Sequence, residues 1–401
     1  MTAARVARRP LAGAGSLAWL ALARLGVSLL GFAAVLVIAR ALAPAELGRW
    51  SLALAIQGYA LHLGEFGLRS VVTTEAAHAG RGLLAHYLRL RLGLSALALA
   101  ATLAGCALFR PDDLLLVGLA TAAILPIALQ LDWLALVDGR DRLAAALLLV
   151  RPLVFLLLLL AWPVPLGPEA VAASFLAAWM TAAVASWICL DRGAGRPAGP
   201  VPTAPAMLRR GAGIAAVTLS NQAQLSADLL LVGLVLGPAA AGDYYLAGQI
   251  LVAALVFANA AGQLALARRA ELGGDLVRLV ALALAAALAL AVLAPSLLPR
   301  LFGAEHAGAA TLLRWLLPWF VLTHATTLLQ AVLTALGREA EVLRGNLLGL
   351  ALLATGLGLA ALDPSAPAFA LARGLAEAAR LAWLWRRRTT VPALARDRGL
   401  G

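Results

Sequence analysis

Six arginines lie inside segments of the sequence that are otherwise apolar, and their chemistry is the clearest in the chain. They are Arg24, Arg69, Arg151, Arg314, Arg373 and Arg380. An arginine at the centre of a membrane helix costs about 2.5–3.5 kcal/mol on insertion scales. Its guanidinium keeps its charge and donates paired hydrogen bonds to phosphate or carboxylate. We therefore expect these arginines to face buried carboxylates or a hydrated, anion-binding cavity, with snorkelling to a helix end as the alternative for any one of them.

A first group of polar residues accompanies one of these arginines. His62, Glu65 and Arg69 are spaced i, i+3 and i+7, so a continuous helix places them on one face. They are candidates for the wall of a cavity. Local neutralisation of Arg69 by Glu65, four residues earlier, is the competing interpretation.

A second group contains an acidic residue with no basic neighbour. Asn221, Gln224 and Asp228 repeat the same spacing, and no arginine lies within one turn of Asp228. A lone carboxylate in a membrane bundle suits coupling to H⁺ or Na⁺, or pairing with an arginine from the other half of the chain.

Two later segments carry polar stripes. One presents Gln330 and His324 beside threonines 323, 327 and 334, which is typical of a wet cavity wall or of threonines bonded to their own backbone. The other places Glu377 between Arg373 and Arg380, so that one positive charge is left over. Arginines thus exceed acids in the apolar segments, which favours an anionic substrate.

The motifs of common catalytic sites are missing from the sequence. There is no Walker A motif, no metal-ligand spacing of His and Cys, and no candidate Ser-His-Asp set. Cys106 and Cys189 lie far apart in apolar segments and are expected to be small core residues. We therefore predict a protein that is not an enzyme, with no catalytic residues, no metal and no cofactor.

Apolar helices must position these side chains. With 63% hydrophobic residues, 13% charged residues and a mean hydropathy of +0.91, the chain is predicted to be an all-α multi-pass membrane protein. Twelve candidate spans can be counted: 16–39, 50–74, 83–109, 113–136, 143–162, 169–190, 212–236, 244–267, 276–298, 311–336, 343–362 and 366–385.

The net charge of +12 follows the membrane topology and does not indicate nucleic-acid binding. All 32 basic residues are arginine, and most lie in alternate connections. The opposite connections hold only Arg40, Arg49, Arg110 and Arg300. This positive-inside bias predicts that both termini are cytoplasmic.

The chain repeats itself around a Pro- and Gly-rich linker at 191–211. LAPAELGRWSLALAI at 42–56 matches LGPAAAGDYYLAGQI at 236–250, LFRPDD at 108–113 matches LFGAEH at 301–306, and DGRD at 138–141 matches LGRE at 336–339. We predict two six-helix lobes, 1–190 and 212–401, related as parallel repeats around a substrate path. In each opening turn, proline is expected to start the turn and glycine to break it before an aromatic at the membrane interface.

These stretches carry a family resemblance. The sequence resembles the polysaccharide transport family of the multidrug/oligosaccharidyl-lipid/polysaccharide (MOP) exporter superfamily in two places of the first half: Arg40, Pro44, Gly48 and Trp50, then Glu65, Gly67 and Leu68. It also does so in the second half at Asp228, Gly242 to Tyr244 and LFGAEHAGAA. Ala43 stands where the family usually has glycine.

The resemblance implies a MATE-like fold and a flippase for oligosaccharides linked to undecaprenyl pyrophosphate in the bacterial cytoplasmic (inner) membrane. Lipopolysaccharide or exopolysaccharide assembly would be the pathway, with membrane lipids and a polymerase or other assembly proteins as partners. Arg24 and Arg69 would hold the anionic headgroup, and Asp228 would couple to an ion.

Three alternatives stay open. A multidrug/cation antiporter of the same superfamily would predict more cavity acids than arginines. A membrane glycosyltransferase or ligase would need acidic residues gathered in an outer loop, and here they are scattered. A non-transporting scaffold would leave the buried arginines without a purpose.

Overall fold

The computed structural model describes residues 14–75, 81–162, 165–190, 202–268, 272–335 and 338–388. In this part of the chain the regular structure is helical. Two 3₁₀ helices span Pro111–Asp113 and Ala304–His306. The α-helices are Ala14–Ala41 (α1), Pro44–Glu65 (α2), Leu68–Glu75 (α3), Arg81–Phe109 (α4), Leu114–Ala122 (α5), Ile124–Leu129 (α6), Asp132–Val137 (α7), Asp141–Ala161 (α8), Pro168–Cys189 (α9), Ala204–Val235 (α10), Pro238–Arg268 (α11), Leu272–Phe302 (α12), Gly308–Ala335 (α13), Glu339–Ala360 (α14) and Ala366–Arg388 (α15).

Eight helical segments among the described residues are long and apolar enough to cross a membrane. They coincide with eight of the predicted spans. The other four predicted spans, 50–74, 212–236, 244–267 and 366–385, are also helical in the structure, although the first is interrupted. An all-helical multi-pass membrane protein is therefore confirmed.

Two predicted spans are broken where the sequence was read as continuous. The second span stops after Glu65, because Phe66 and Gly67 both adopt positive φ (45° and 68°) before α3 begins. The fourth span is divided into α5, α6 and α7, with Gln130 extended. Side chains of α9 satisfy the freed backbone there: Trp187 Nε1 donates to the Leu129 carbonyl at 2.6 Å, and Ser186 Oγ accepts the Leu131 N–H at 3.1 Å. Such compensation is needed wherever a helix breaks away from water.

The three sequence repeats adopt equivalent local structures. The N–H groups of residues 47 and 241 donate to the carbonyls of 43 and 237, and those of 113 and 306 donate to 110 and 303. Residues 113 and 306 are the last residues of the two 3₁₀ helices. Arg140 and Arg338 each donate a backbone N–H to the carbonyl five residues earlier, immediately before α8 and α14. The repeats therefore extend from sequence to backbone geometry.

The opening turns differ from their prediction in two respects. Pro44 is the first residue of α2, where a missing N–H is harmless. Because α2 continues to Glu65, Gly48 lies inside the helix and does not break it. Trp50 and Tyr244 are buried (each 1% exposed) and not interfacial. Trp50 packs edge-on against Phe175 at 5.7 Å.

The glycines of the two turns instead let the halves of the chain touch. We call this end of the bundle, where α1 joins α2 and α10 joins α11, the turn end. A Cβ at Gly48 would overlap the Pro238 carbonyl, and one at Gly242 would overlap the Pro44 carbonyl. Small residues of this kind drive helix association in lipid, where burial of apolar surface gains nothing.

Polar contacts join the halves at the same end. Arg40 Nε donates to the Leu301 carbonyl at 2.7 Å, and Nη2 reaches the Arg300 carbonyl at 3.3 Å. His306 is fully buried, with Nε2 3.0 Å from the Ala39 carbonyl and Nδ1 3.5 Å from Asp243 Oδ1. Burial acts to lower the pKa of His306, but the Asp243 carboxylate and the Ala39 carbonyl outweigh it and raise that pKa.

The opposite end, where α9 ends and α10 begins, is called the linker end. Here Gly67 and Gly211 meet closely: a Cβ at Gly211 would overlap the Phe66 carbonyl. Met207 of α10 is buried in a cluster with Leu68, Tyr87 and Trp133 of the N-terminal half. The halves are thus in contact at both ends along α2, α3 and α10.

The packing of the two turns can be tested with Gly48→Ala. The added methyl overlaps the Pro238 carbonyl, and overpacking of this kind typically destabilises by about 1–3 kcal/mol. We expect a lower thermal denaturation midpoint for the purified protein in detergent. Gly31→Ala in α1 is the control, because no neighbouring atom lies within 4 Å of its added methyl. If Gly48→Ala melts at or above the control, the turns do not pack in this way.

Candidate functional site

A buried ion pair lies at the centre of the C-terminal half. Arg373 Nη1 of α15 donates to Asp228 Oδ2 of α10 at 2.6 Å, and both residues are almost fully buried. Tyr244 of α11 donates its hydroxyl to the same oxygen at 2.6 Å. The guanidinium also lies over the Trp319 ring of α13, 3.7 Å from its centroid. One charge pair therefore ties together four helices.

Asp228 is consequently not the lone carboxylate that its own helix suggested. Its partner is 145 residues away and comes from the same half of the chain, not from the other half as one of the two interpretations had it. Its second oxygen accepts the Leu229 N–H at 2.9 Å. Both carboxylate oxygens thus have hydrogen-bond donors within the C-terminal half.

An amide network lies on the linker-end side of this pair. Asn346 of α14 donates to Asn221 Oδ1 at 2.9 Å, accepts from Gln330 Nε2 at 2.8 Å, and accepts from Gln224 Nε2 on its backbone carbonyl at 2.6 Å. The sequence patterns identified Asn221, Gln224 and Gln330. Asn346 was missed, although it is a single amide in an otherwise apolar span.

The stripe on α15 joins the same network. Arg380 Nη1 lies 3.3 Å from Glu377 Oε2, and Arg380 Nη2 reaches Asn221 Oδ1 at 3.4 Å. Arg373, Glu377 and Arg380 are each 5–7% exposed. The sequence did not predict this contact between α15 and α10.

A small cavity separates the ion pair from the amide network. It offers about 10 Å³ to the centre of a water molecule, and its lining includes Gln224, Trp319, Arg373 and Glu377. Three polar atoms of this lining have no hydrogen-bond partner among the described residues: Gln224 Oε1, Arg373 Nε and Glu377 Oε1. One water could donate to the two oxygens and accept from the Nε–H, which is the number of bonds that a buried water usually makes.

The N-terminal half holds a second, less buried ion pair. Arg69 Nη2 lies 3.0 Å from Asp132 Oδ2 of α7, with 35% of the Arg69 side chain exposed. The helix break at Phe66–Gly67 separates Arg69 from the helix of His62 and Glu65, so these three do not share one helical face as predicted. Glu65 still lies close enough to His62 and Arg69 to interact electrostatically.

Arg24 is exposed on one flank of α1 and has no hydrogen-bond or ion-pair partner among the described residues. It shares that flank, by helical spacing, with Ser28 and Gly31. The exposed leucines 22, 25 and 29 lie on a different face. A small, polar flank beside an arginine is compatible with a hydrated surface.

The remaining predicted residues are not brought to these clusters. Arg151 stacks on the Trp179 ring at 4.8 Å, and the exposed Arg314 donates to the Ala291 carbonyl at 3.1 Å. His324 is buried, with Nδ1 2.8 Å from the Phe320 carbonyl of its own helix. Among the described residues, no three His, Cys, Asp or Glu side chains lie together as metal ligands would.

Residues outside the predicted set complete the site. Tyr244 belongs to the repeated turn and could have been suspected from it, and Asp132 is an acid in an apolar span. Arg91 is 2% exposed and donates to the Tyr87 hydroxyl at 2.7 Å. Its place near the start of a span had suggested an ordinary cytoplasmic arginine.

Comparisons with known proteins agree with this architecture. A search of curated proteins found no match. A MATE family multidrug resistance transporter in an outward-facing conformation aligns over 95% of this chain and 96% of its own, with 15% identity and a TM-score of 0.66. The lipid II flippase MurJ in an inward-closed conformation aligns over 92% of this chain and 86% of its own, with 10% identity and a TM-score of 0.68.

A third similar structure is a MOP superfamily transporter from Pyrococcus furiosus described as having a binding pocket of reversed polarity. It aligns over 93% of this chain and 95% of its own, with 14% identity and a TM-score of 0.62. At such identities the similarity defines the fold alone. The sequence profile of the family described as polysaccharide biosynthesis protein matches residues 14–267, more than half of the chain. The chain therefore belongs to the polysaccharide biosynthesis protein family and has the fold of the MOP superfamily of transporters.

Proposed function

We propose that this protein is a flippase for anionic lipid-linked oligosaccharides, carried on undecaprenyl pyrophosphate across the bacterial cytoplasmic membrane. Membership of the polysaccharide biosynthesis family supports this reading. The observation that carries it is the partly exposed arginine pair of the N-terminal half, Arg24 and Arg69, whose charge suits a pyrophosphate.

The proposed architecture is twelve spans in two parallel six-helix lobes, 1–190 and 212–401, with both termini cytoplasmic. Substrate would enter between the lobes from one leaflet and leave at the other by alternating access. The glycine contacts at the turn end and the linker end would be the two closures that open in turn.

The headgroup would be bound by the N-terminal half. Arg24 has no partner among the described residues, and Arg69 uses only one of its nitrogens on Asp132. Arg373 and Arg380, by contrast, are buried and paired with acids. We assign the headgroup to Arg24 and Arg69, and a structural role to the Asp228–Arg373 pair.

Ion coupling, if proton-driven, is assigned to Glu377 and not to Asp228. Asp228 is saturated by Tyr244, Arg373 and the Leu229 N–H. Glu377 keeps one oxygen without a partner, beside a cavity with room for a water. Protonation of this free oxygen would leave the Asp228–Arg373 pair intact.

The antiporter alternative is less well supported. Three carboxylates of the described spans, Asp132, Asp228 and Glu377, each have an arginine within 3.3 Å. A cationic drug would have to displace those arginines.

Deletion of the gene tests the substrate class. We expect lipid-linked oligosaccharide to accumulate in extracted membranes and surface polysaccharide to be lost, because the intermediate would remain on the cytoplasmic side. Complementation with the intact gene is the control. Unchanged lipid-linked oligosaccharide together with unchanged surface polymer would exclude the flippase.

Arg24→Gln tests the headgroup assignment. Removing one charged hydrogen-bonding partner, worth about 1.5–3 kcal/mol, should reduce substrate affinity by roughly tenfold or more. Arg314→Gln is the matched control, since Arg314 is also an exposed arginine in an apolar helix. Binding of undecaprenyl pyrophosphate to both purified variants gives the measurement. Equal affinities would remove Arg24 from the site.

Variants that neutralise charged residues separate a role in ion coupling from a role in stability. Asp228→Asn alone leaves Arg373 buried without its counter-charge, and we expect a loss of about 3–5 kcal/mol of stability. Asp228→Asn with Arg373→Gln should recover folding and transport driven by an imposed pH or Na⁺ gradient. Glu377→Gln with Arg380→Gln, which leaves neither charge of that buried pair uncompensated, should fold and transport but no longer respond to the gradient. A folded double variant that ignores the gradient would return coupling to the Asp228 pair.

A further inference from the structure

A groove of about 390 Å³ runs along the outside of the contact between the two halves, beginning at the turn end. Its walls come from α2, α4 and α5 of the N-terminal half and from α10 of the C-terminal half. The lining is Arg49, Leu52, Ala53, Ile56, Ala101, Thr102, Gly105, Cys106, Phe109, Arg110, Asp113, Val117, Leu230, Gly233 and Leu234. None of these residues belongs to the headgroup or coupling sites proposed above.

The shape of the groove suits a single alkyl chain of a lipid. Small residues of α4, Ala101 and Gly105, form its floor, and nothing lies within 4 Å of a Cβ built on Gly105. The lining of α2 runs from Arg49 to Ile56, a rise of about 10 Å. That length is about two thirds of one leaflet of a hydrocarbon core roughly 30 Å thick. Below its charged end, Thr102 and the Cys106 thiol are the polar groups of the lining.

The charged end of the groove, together with Glu169 beside it, carries both signs. Asp113 accepts from Arg49 Nε at 2.7 Å and from Arg110 Nη2 at 2.9 Å, and Arg49 Nη2 lies 3.3 Å from Glu169 Oε1. Two arginines and two carboxylates make this cluster neutral. Each arginine keeps an Nη1 that has no partner among the described residues, and the Glu169 side chain is 37% exposed.

The charges at the end of the groove decide which lipid it binds, because the alkyl chain of a lipid gives no preference. An alkyl chain in the groove and one in the bilayer have equally apolar surroundings, so burial gives no preference. A headgroup with one phosphate and one ammonium matches a cluster with free guanidinium donors and an exposed carboxylate. A pyrophosphate brings only negative charge and matches it less well.

We propose that this groove binds one chain of a zwitterionic phospholipid, phosphatidylethanolamine, with its phosphate on Arg49 and Arg110 and its ammonium on Glu169. The lipid fills the seam between α2 and α10 in the state where the two halves touch. It is a resident lipid of the membrane and not the transported substrate, so it does not depend on the proposed function.

Cys106 provides a reporter inside the groove. Cys189 is the only other cysteine in the sequence, so Cys189→Ser leaves a single thiol. The purified full chain in detergent is labelled with a maleimide while phosphatidylethanolamine, phosphatidylglycerol or undecaprenyl phosphate of equal concentration is added. At a concentration about ten times the Kd, phosphatidylethanolamine should slow labelling by about tenfold, and the other two lipids should slow it clearly less. Equal protection by all three, or none, would overturn the proposal, and stronger protection by undecaprenyl phosphate would assign the groove to the substrate.

Two substitutions on one helix give a second, independent measurement. Gly105→Leu adds a side chain to the lining of the groove from a Cβ position with no atom within 4 Å, and Gly93→Leu adds the same side chain to α4 at an exposed position outside it. After mild detergent extraction, Gly105→Leu should retain much less phosphatidylethanolamine than Gly93→Leu, with both proteins folded. Equal retention would exclude the groove as the site.

Glu169→Gln tests the headgroup chemistry. Loss of this carboxylate leaves a net positive cluster, so the preference for phosphatidylethanolamine over phosphatidylglycerol should shrink or reverse in the Cys106 assay. An unchanged preference would contradict the assignment of the ammonium to Glu169.

Discussion

The pair formed by Asp228 and Arg373 is the interaction on which the C-terminal half depends. In lipid, helices gain nothing by burying apolar surface against one another, so close packing and polar contacts must hold them. Here one carboxylate receives a guanidinium and the Tyr244 hydroxyl, while the guanidinium rests on Trp319. Four helices share this point. Removing either charge would leave the other buried without its counter-charge, so the pair holds the four helices in fixed positions.

The two halves use their arginines differently, and this asymmetry bears on transport. In the C-terminal half, Arg373 and Arg380 are both buried. Arg373 is bonded to Asp228 of α10, and Arg380 is bonded to Glu377 of its own helix. In the N-terminal half, Arg69 keeps a third of its side chain exposed, and Arg24 is exposed without a partner among the described residues. Repeats with equivalent turns thus expose their charge differently: these arginines are buried and paired in the C-terminal half, and the N-terminal half retains charge that a ligand can reach.

Sequence patterns predicted the helical class, the positions of the spans and the repeats, because hydropathy and turn residues act locally. They failed where the outcome depended on distant partners. Nothing near Asp228 in the sequence identifies Arg373, 145 residues away. The break at Phe66–Gly67 was also missed; the Phe66 carbonyl there lies against Gly211 of the other half, a contact that the local sequence does not reveal. Apolar periodicity is continuous through such a break, and only the packed structure reveals it.

The contacts that close the bundle differ in kind from those that hold each half together. At the turn end the halves meet through backbone carbonyls: Gly48 lies against Pro238, and Arg40 donates to the carbonyls of Leu301 and Arg300. Opening this end exposes it to water, which can replace each of these hydrogen bonds at little net cost. Asp228 and Arg373 are almost fully buried and bonded to each other. A chain built this way separates most easily between its halves and least easily within the C-terminal half, which is the mechanical property that the proposed alternating access requires.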